Sequence, residues 1–229
     1  MKPLMSLPQD GNSLRTLGRA SLQIVHDLKN QLNGLKLYAT FLRKRMEKSE
    51  HPADEMETLN KLIVGLDRAA GDLSTLVDFG RPLELRRQPD VDVQKIMKAL
   101  AAGFSEGTRV TGALPGALIV VADSSPMLGE FDPTALTDAL RSISLGAIKM
   151  SQGVEAKGLQ QVSLKSEGSG PRAVVIEWQD VAKADHDPFT SFAGSMEIRM
   201  SLAAKVIEAH GGSAEHHENT LRVRLPLTQ

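Results

Sequence analysis

The stretch SLQIVHDLKNQLNGLKLYATFLRKRM, residues 21–46, decides the fold of the first third of the chain. Leu28, Leu35 and Leu42 recur every seven residues in step with Leu14 upstream, and Ser21 fills the missing step. Leu17, Ile24 and Tyr38 form a companion row, and Val25, Leu32, Ala39 and Met46 form a third. Apolar side chains at this spacing mark long amphipathic helices that pack side by side. The pattern predicts one helix over about residues 12–47, on the order of 50 Å long.

Upstream, residues 1–11 hold two prolines and a glycine and read as a loose tail. Downstream, the helix breaks at EKSEHPAD, where Pro52 suits the first turn of a new helix. Leu59, Leu66 and Leu73, Leu62, Ala69 and Leu76, and Met56, Ile63, Ala70 and Val77 carry a second set of rows to Phe79-Gly80-Arg81-Pro82. Gly80 can cap a helix and Pro82 cannot continue one. Two long helices with a short connection form an antiparallel hairpin. One hairpin cannot cover both of its own apolar rows, so a homodimeric four-helix bundle is expected.

The pattern changes after residue 83. ELRRQPDVD reads as extended and VQKIMKALAAGF as a short helix. Residues 117–123, 160–166, 173–180 and 220–227 read as strands, being rich in β-branched residues and alternating. Residues 133–150 and 195–210 read as helices, the second stopped by His210-Gly211-Gly212. Segments near 112–116, 124–127 and 167–171 read as loops. The fold class is α+β: a helical hairpin over residues 12–86, then an α/β sandwich over 87–229.

Composition narrows the chemistry. The 229 residues include no cysteine, which excludes disulfides, thiol catalysis and cysteine metal sites. A net charge of −1 and 3% aromatic residues argue against nucleic-acid binding. No apolar run approaches the roughly 18 residues that span a bilayer, and the N-terminus lacks a signal-peptide core. A cytoplasmic protein without a membrane partner is the expectation.

The chemistry centres on His26-Asp27-Leu28-Lys29-Asn30. His26 points away from the leucine row, and Asn30, one turn on, shares its face. An exposed imidazole offers a nitrogen nucleophile near neutral pH. A carboxylate beside it can hold one ring nitrogen as N–H, and an amide can orient water or a phosphoryl oxygen. Asn33, Leu37 and Phe41 continue the same face. Leu37 and Phe41 suit bundle packing, or a docking stripe for a partner whose reactive group must reach His26.

His-Asp-Leu-Lys-Asn on a long heptad helix, followed by Asp78-Phe79-Gly80-Arg81-Pro82-Leu83-Glu84-Leu85, resembles the dimerisation and phosphoacceptor domain of bacterial sensor histidine kinases. The resemblance implies that His26 is phosphorylated, that Asp27 is the general base, and that Asn30 supports phosphatase chemistry. Gln31 stands where the family often has a helix-kinking proline. Phe131-Asp132-Pro133, the run from Ala203 to Gly212, and the closing Arg222-Val223-Arg224-Leu225-Pro226-Leu227 are similar to the family's ATP-binding domain. The resemblance thus extends from residue 12 to residue 228.

The resemblance also implies that this domain is degenerate. Gly146, before Ala147-Ile148, takes the place of the magnesium-binding Asn and has no side-chain oxygen. Ser142 takes the place of the earlier Asn. The Asp-x-Gly-x-Gly loop falls at Asp180 to Ala184: the acid survives, but Ala182 and Ala184 replace glycines and add a Cβ where backbone must approach nucleotide. Glu197 and Arg199 crowd the position of the phosphate-cradling Gly-x-Gly. The segment between Asp185 and Gly194 is too short for a long mobile lid. No cofactor and no metal are expected. His210, His216 and His217 lack the carboxylate spacing of a metal cage, Arg43-Lys44-Arg45 reads as a solvated helix end, and Met196 and Met200 read as core.

The reading is a two-component phosphorelay protein that exchanges a phosphoryl group between His26 and response-regulator receiver aspartates. An upstream histidine kinase is a further implied partner. The alternatives are an ATP-dependent sensor kinase and a non-catalytic pseudokinase regulator.

Overall fold

The computed structural model describes residues 11–48, 52–111, 117–122, 125–151, 159–167, 172–183, 186–192 and 194–228. The chain divides into two compact units, Met1–Pro82 and Leu83–Gln229. The expected N-terminal tail, except Gly11, lies outside the described residues, as do residues 112–116, Asp123 and Ser124, 168–171 and Ala184.

The first unit is a hairpin of α1 (Gly11–Met46) and α2 (Ala53–Gly80). Helix α1 runs unbroken through Gln31. Arg43, Lys44 and Arg45 in its last turn, and Asp54 and Glu55 in the first turn of α2, complement the helix dipoles. Gly80 is required by close approach, because a Cβ there would overlap the Leu22 side chain.

Three bonds fix the register of the hairpin. Lys29 Nζ donates to Ser74 Oγ at 3.1 Å, Lys36 Nζ pairs with Asp67 Oδ1 at 2.5 Å, and Arg43 Nη1 donates to Asn60 Oδ1 at 3.5 Å. Each heptad step forward on α1 is a heptad step back on α2. Ala39, Ile63 and Val77 are buried in the same interface. Val25, Leu32 and Met46 are half-buried. The other rows of α1 stay open in the single chain, with Ile24, Leu28, Leu35, Tyr38 and Leu42 exposed, as is Leu62 on α2. A contiguous apolar row of this length marks an interaction surface.

The second unit holds β1 (Gln88–Asp92), α3 (Val93–Thr111), β2 (Ala117–Ala122), β3 (Leu128–Phe131), α4 (Pro133–Ser151), β4 (Leu159–Glu167), β5 (Ala173–Trp178), α5 (Ser195–Ala209), β6 (Ser213–His217) and β7 (Thr220–Pro226). Strands β1 and β3 pair with each other, and the main sheet has the order β2-β4-β5-β7-β6. Only β2–β4 is parallel within it. Strand β7 shows why the sheet is one-sided: Leu221, Val223 and Leu225 are buried while Arg222 and Arg224 are exposed. Leu140 and Ile143 of α4 and Met200 and Ile207 of α5 join the strands' inner residues in one core.

Two strands go beyond the sequence reading. Strand β3 is four residues long, and β6 is a polar edge strand. Helix α3 also continues past Phe104 to Thr111. The division after Pro82 has a local cause. Arg86 N–H donates to Asp132 Oδ2 at 2.8 Å and Arg87 Nη2 to the Ala209 carbonyl at 2.6 Å, so the chain after Pro82 is tied into the second unit. Among the described residues, no helix is long and apolar enough to cross a membrane.

Candidate functional site

Helix α1 presents three faces. At about 100° per residue, the row His26, Asn30, Asn33, Leu37 stands on the order of 110–150° from the row facing α2 and from the row of exposed leucines. Neither apolar contact therefore covers His26. Its side chain is 50% exposed and that of Asp27 58%.

His26 Nδ1 lies 3.4 Å from Asp27 Oδ1 and 3.4 Å from Asn30 Nδ2. The two neighbours favour opposite tautomers. A protonated Nδ1 donates to the carboxylate, and an unprotonated one accepts from the amide. The carboxylate contact is the charge-assisted one, and Nδ1–H is the tautomer it favours. Gln23 Nε2 donates to the same Asp27 oxygen at 3.0 Å and steadies the carboxylate. The lone pair then sits on Nε2, which no bond engages among the described residues. The ring is oriented by its neighbours, with an open approach to Nε2.

The expected stripe follows on this face. Asn33 is exposed, Leu37 is 54% exposed and Phe41 60% exposed. Sequence reasoning missed a companion on α2. Val64 is 59% exposed. It stands three residues before Asp67, as Ala39 stands three after Lys36, so antiparallel packing sets it level with Ala39, between Leu37 and Phe41. Val64 and the stripe both lie beyond the Lys29–Lys36–Arg43 ladder, on the side away from the exposed leucines. A lone valine on a polar helix face gives no periodic signal. Only the register sets it level with the stripe.

In the second unit, Gly146 is buried on α4, and a Cβ added there would overlap Met200 Sδ. Met200 is fully buried in the core. A sulfur thus fills the space into which a metal-binding side chain at 146 would extend. Ser142 Oγ is turned back to the Asp138 carbonyl at 2.9 Å. Neither position offers a magnesium ion the oxygen ligand it needs. Asp180 is exposed with φ 57°, Ala182 is half-buried, and Ala184 is outside the described residues. The segment before α5 is pinned rather than free: Asp187 Oδ1 accepts from Phe189 N–H at 3.0 Å, Phe189 is buried, and Ser201 Oγ donates to the Ser191 carbonyl at 2.9 Å. These residues do not fit a magnesium nucleotide. Among the described residues, no three His, Asp or Glu side chains gather as metal ligands.

His210 is the second ordered imidazole. It is buried, with Nδ1 donating to the Val206 carbonyl at 2.8 Å and Nε2 accepting from Asp132 N–H at 3.0 Å. Burial pushes its pKa below the ordinary histidine value. The Asp132 carboxyl is held below the usual range by the N–H groups of Ala135 and Arg86. Both ring nitrogens are used, so His210 is structural.

No family model matches the chain. It is 23% identical over 206 residues to the signal transduction histidine-protein kinase AtoS of Escherichia coli K12, covering 87% of this chain. The chain spans 32% of that relative's length. Among solved structures, full-length ShkA in complex with AMPPNP matches 92% of the chain and 46% of its own, with a TM-score of 0.68 and 17% identity. The histidine kinase ThkA in complex with the response regulator protein TrrA matches 98% of the chain and 68% of its own, with a TM-score of 0.59 and 16% identity. The chain has the fold of the sensor histidine kinase catalytic core, a helical hairpin followed by an ATPase-type domain, and its sequence is similar to that of a two-component signalling kinase.

Proposed function

We propose that this chain is a phosphorelay protein of two-component signalling, in which His26 takes a phosphoryl group from a receiver aspartate and passes it to another. The observation that carries the reading is the open Nε2 of His26 beside an Nδ1 held by Asp27. In the forward step Nε2 attacks phosphorus, the N–P bond forms, and the P–O bond to the receiver aspartate breaks. The aspartate leaves as carboxylate, and the Nδ1 proton stays with the ring and Asp27. No proton need cross the site, so positioning supplies most of the catalysis. Asn30, at 3.4 Å from the ring, is placed to orient a phosphoryl oxygen or a hydrolytic water.

A receiver domain would dock on Asn33, Leu37, Phe41 and Val64; the complex of the similar ThkA with a response regulator supports a receiver as the kind of partner. A second copy would cover Ile24, Leu28, Leu35, Tyr38, Leu42 and Leu62, giving a homodimeric bundle. Gly146 and Met200 support a second domain that does not use ATP. The test is transfer of label from phosphorylated receiver domains to the protein and to its His26→Ala variant. Label on the former alone supports the reading, and label on neither rejects it.

The second reading, an ATP-dependent kinase, is favoured by the likeness to AtoS. Labelled ATP with magnesium decides it: incorporation at His26 without any receiver would establish a kinase.

A further inference from the structure

The register ladder of the hairpin is uneven in charge. Lys36 is neutralised by Asp67 at 2.5 Å, and Arg43 has the Glu47 carboxylate at 3.5 Å. The third cation, Lys29, meets among the described residues only a hydroxyl, Ser74 Oγ at 3.1 Å. Lys29 is also the rung one turn from His26. Side chains three residues apart on a helix have Cβ atoms about 5–6 Å from each other. A heptad ladder built for stability alone would favour a carboxylate at 74, as it has at 67. A carboxylate there would cancel the charge beside the imidazole.

We infer that Lys29 is a positioning residue for the phosphoryl group on His26, and that Ser74 fixes its ammonium while leaving its charge uncompensated. This rests on the reading of His26 as phosphoacceptor. A phosphohistidine carries two negative charges on its phosphoryl oxygens, with the Asp27 carboxylate next to it. The Lys29 charge opposes both. Ser74 is a suitable holder because its oxygen accepts from the ammonium and contributes no formal charge. At a half-exposed site, one such charge changes the rate of phosphorylation about three- to tenfold.

Phosphoramidate tests this without a receiver domain. Nε2 of His26 attacks its phosphorus, the donor's P–N bond breaks, ammonia leaves, and the new N–P bond forms. The initial rate of phosphohistidine formation is measured for the 229-residue chain and for Lys29→Gln, Lys29→Arg, Ser74→Ala and Ser74→Asp, with thermal melting of each. Lys29→Gln and Ser74→Asp are expected to be about three- to tenfold slower, and Lys29→Arg to stay within about twofold. Ser74→Asp is the discriminating variant, because it completes the ladder and is expected to melt no lower than the parent while reacting more slowly. Added salt should narrow the gap between parent and Lys29→Gln. Equal rates for parent, Lys29→Gln and Ser74→Asp would overturn the inference and leave the phosphoacceptor reading standing. A parent protein that takes up no phosphate would overturn that reading itself.

Discussion

Gly146 of α4 and Met200 of α5 are fitted to one another: Met200 Sδ, Cε and Cγ all crowd the place a Cβ at 146 would take. Met200 is fully buried, so its side chain has no solvent to swing into. Gly146→Ala gains about 1 kcal/mol of helix propensity but overpacks the core by about 1–3 kcal/mol. The expected result is a net loss, smaller in a Met200→Ala background. Urea unfolding followed by Trp178 fluorescence measures it, since the chain has one tryptophan and it is buried against α4 through Ser144 Oγ. Additive effects of the two substitutions would show that the residues do not meet.

Acid should destabilise the second unit through His210. The folded state holds this ring neutral, with its pKa lowered chiefly by burial and by the nearby Arg87 charge, while the unfolded chain binds a proton near pH 6.5. Between the two values the unfolded state carries more protons, so stability rises with pH. The His210 contribution is intact above pH 6.5 and declines as pH falls below it. Asp132, whose pKa is also lowered, adds a further loss below about pH 3.8. Trp178-monitored unfolding from pH 8 to pH 5 should show the first decline, and His210→Asn should flatten it. An unchanged slope in that variant would remove His210 as the cause.

Charge placed on the open leucine row should separate the bundle. Leu35→Asp removes about 2–3 kcal/mol of burial from each copy of a dimer. Across both copies, about 4–6 kcal/mol, this amounts to on the order of a thousandfold or more in dissociation constant. Sedimentation equilibrium should show dimer for the parent and monomer for the variant. A monomeric parent would dispose of the homodimer.

The docking face should respond differently. Leu37→Asp, Phe41→Asp and Val64→Asp each put a charge on the face that carries His26 and leave the leucine row intact. Transfer from a phosphorylated receiver is expected to fall by at least about tenfold, the cost of one or two lost apolar contacts. The sedimentation profile should not change. Undiminished transfer in all three would mean the receiver docks elsewhere.

Much of this was legible in the residues. Heptad rows and Pro52, Gly80 and Pro82 marked two helices and their ends, because periodicity and backbone restriction are local properties. Which row faces α2 was not legible, since Leu32 and Leu35 are chemically equal. The cations at 29, 36 and 43 and their polar partners on α2 decide it, and they read as ordinary surface charge until the two helices are set in register. Strand β6, Ser213-Ala-Glu-His-His217, was missed because an edge strand without β-branched residues has no alternation to see. Strand β3 was missed because it is short and contains Gly129, whose missing Cβ makes room for the Phe131 ring. Gly146 was visible as a lost ligand, but only packing shows that Met200 fills the space.

The central claim is that His26 receives phosphate from a receiver aspartate and not from nucleotide. Two incubations of the purified protein test it most directly, one with label-bearing phosphorylated receiver domains and one with labelled ATP and magnesium. Acid-labile label at His26 is expected in the first, absent from His26→Ala, and none in the second. Label acquired from ATP alone would contradict the claim.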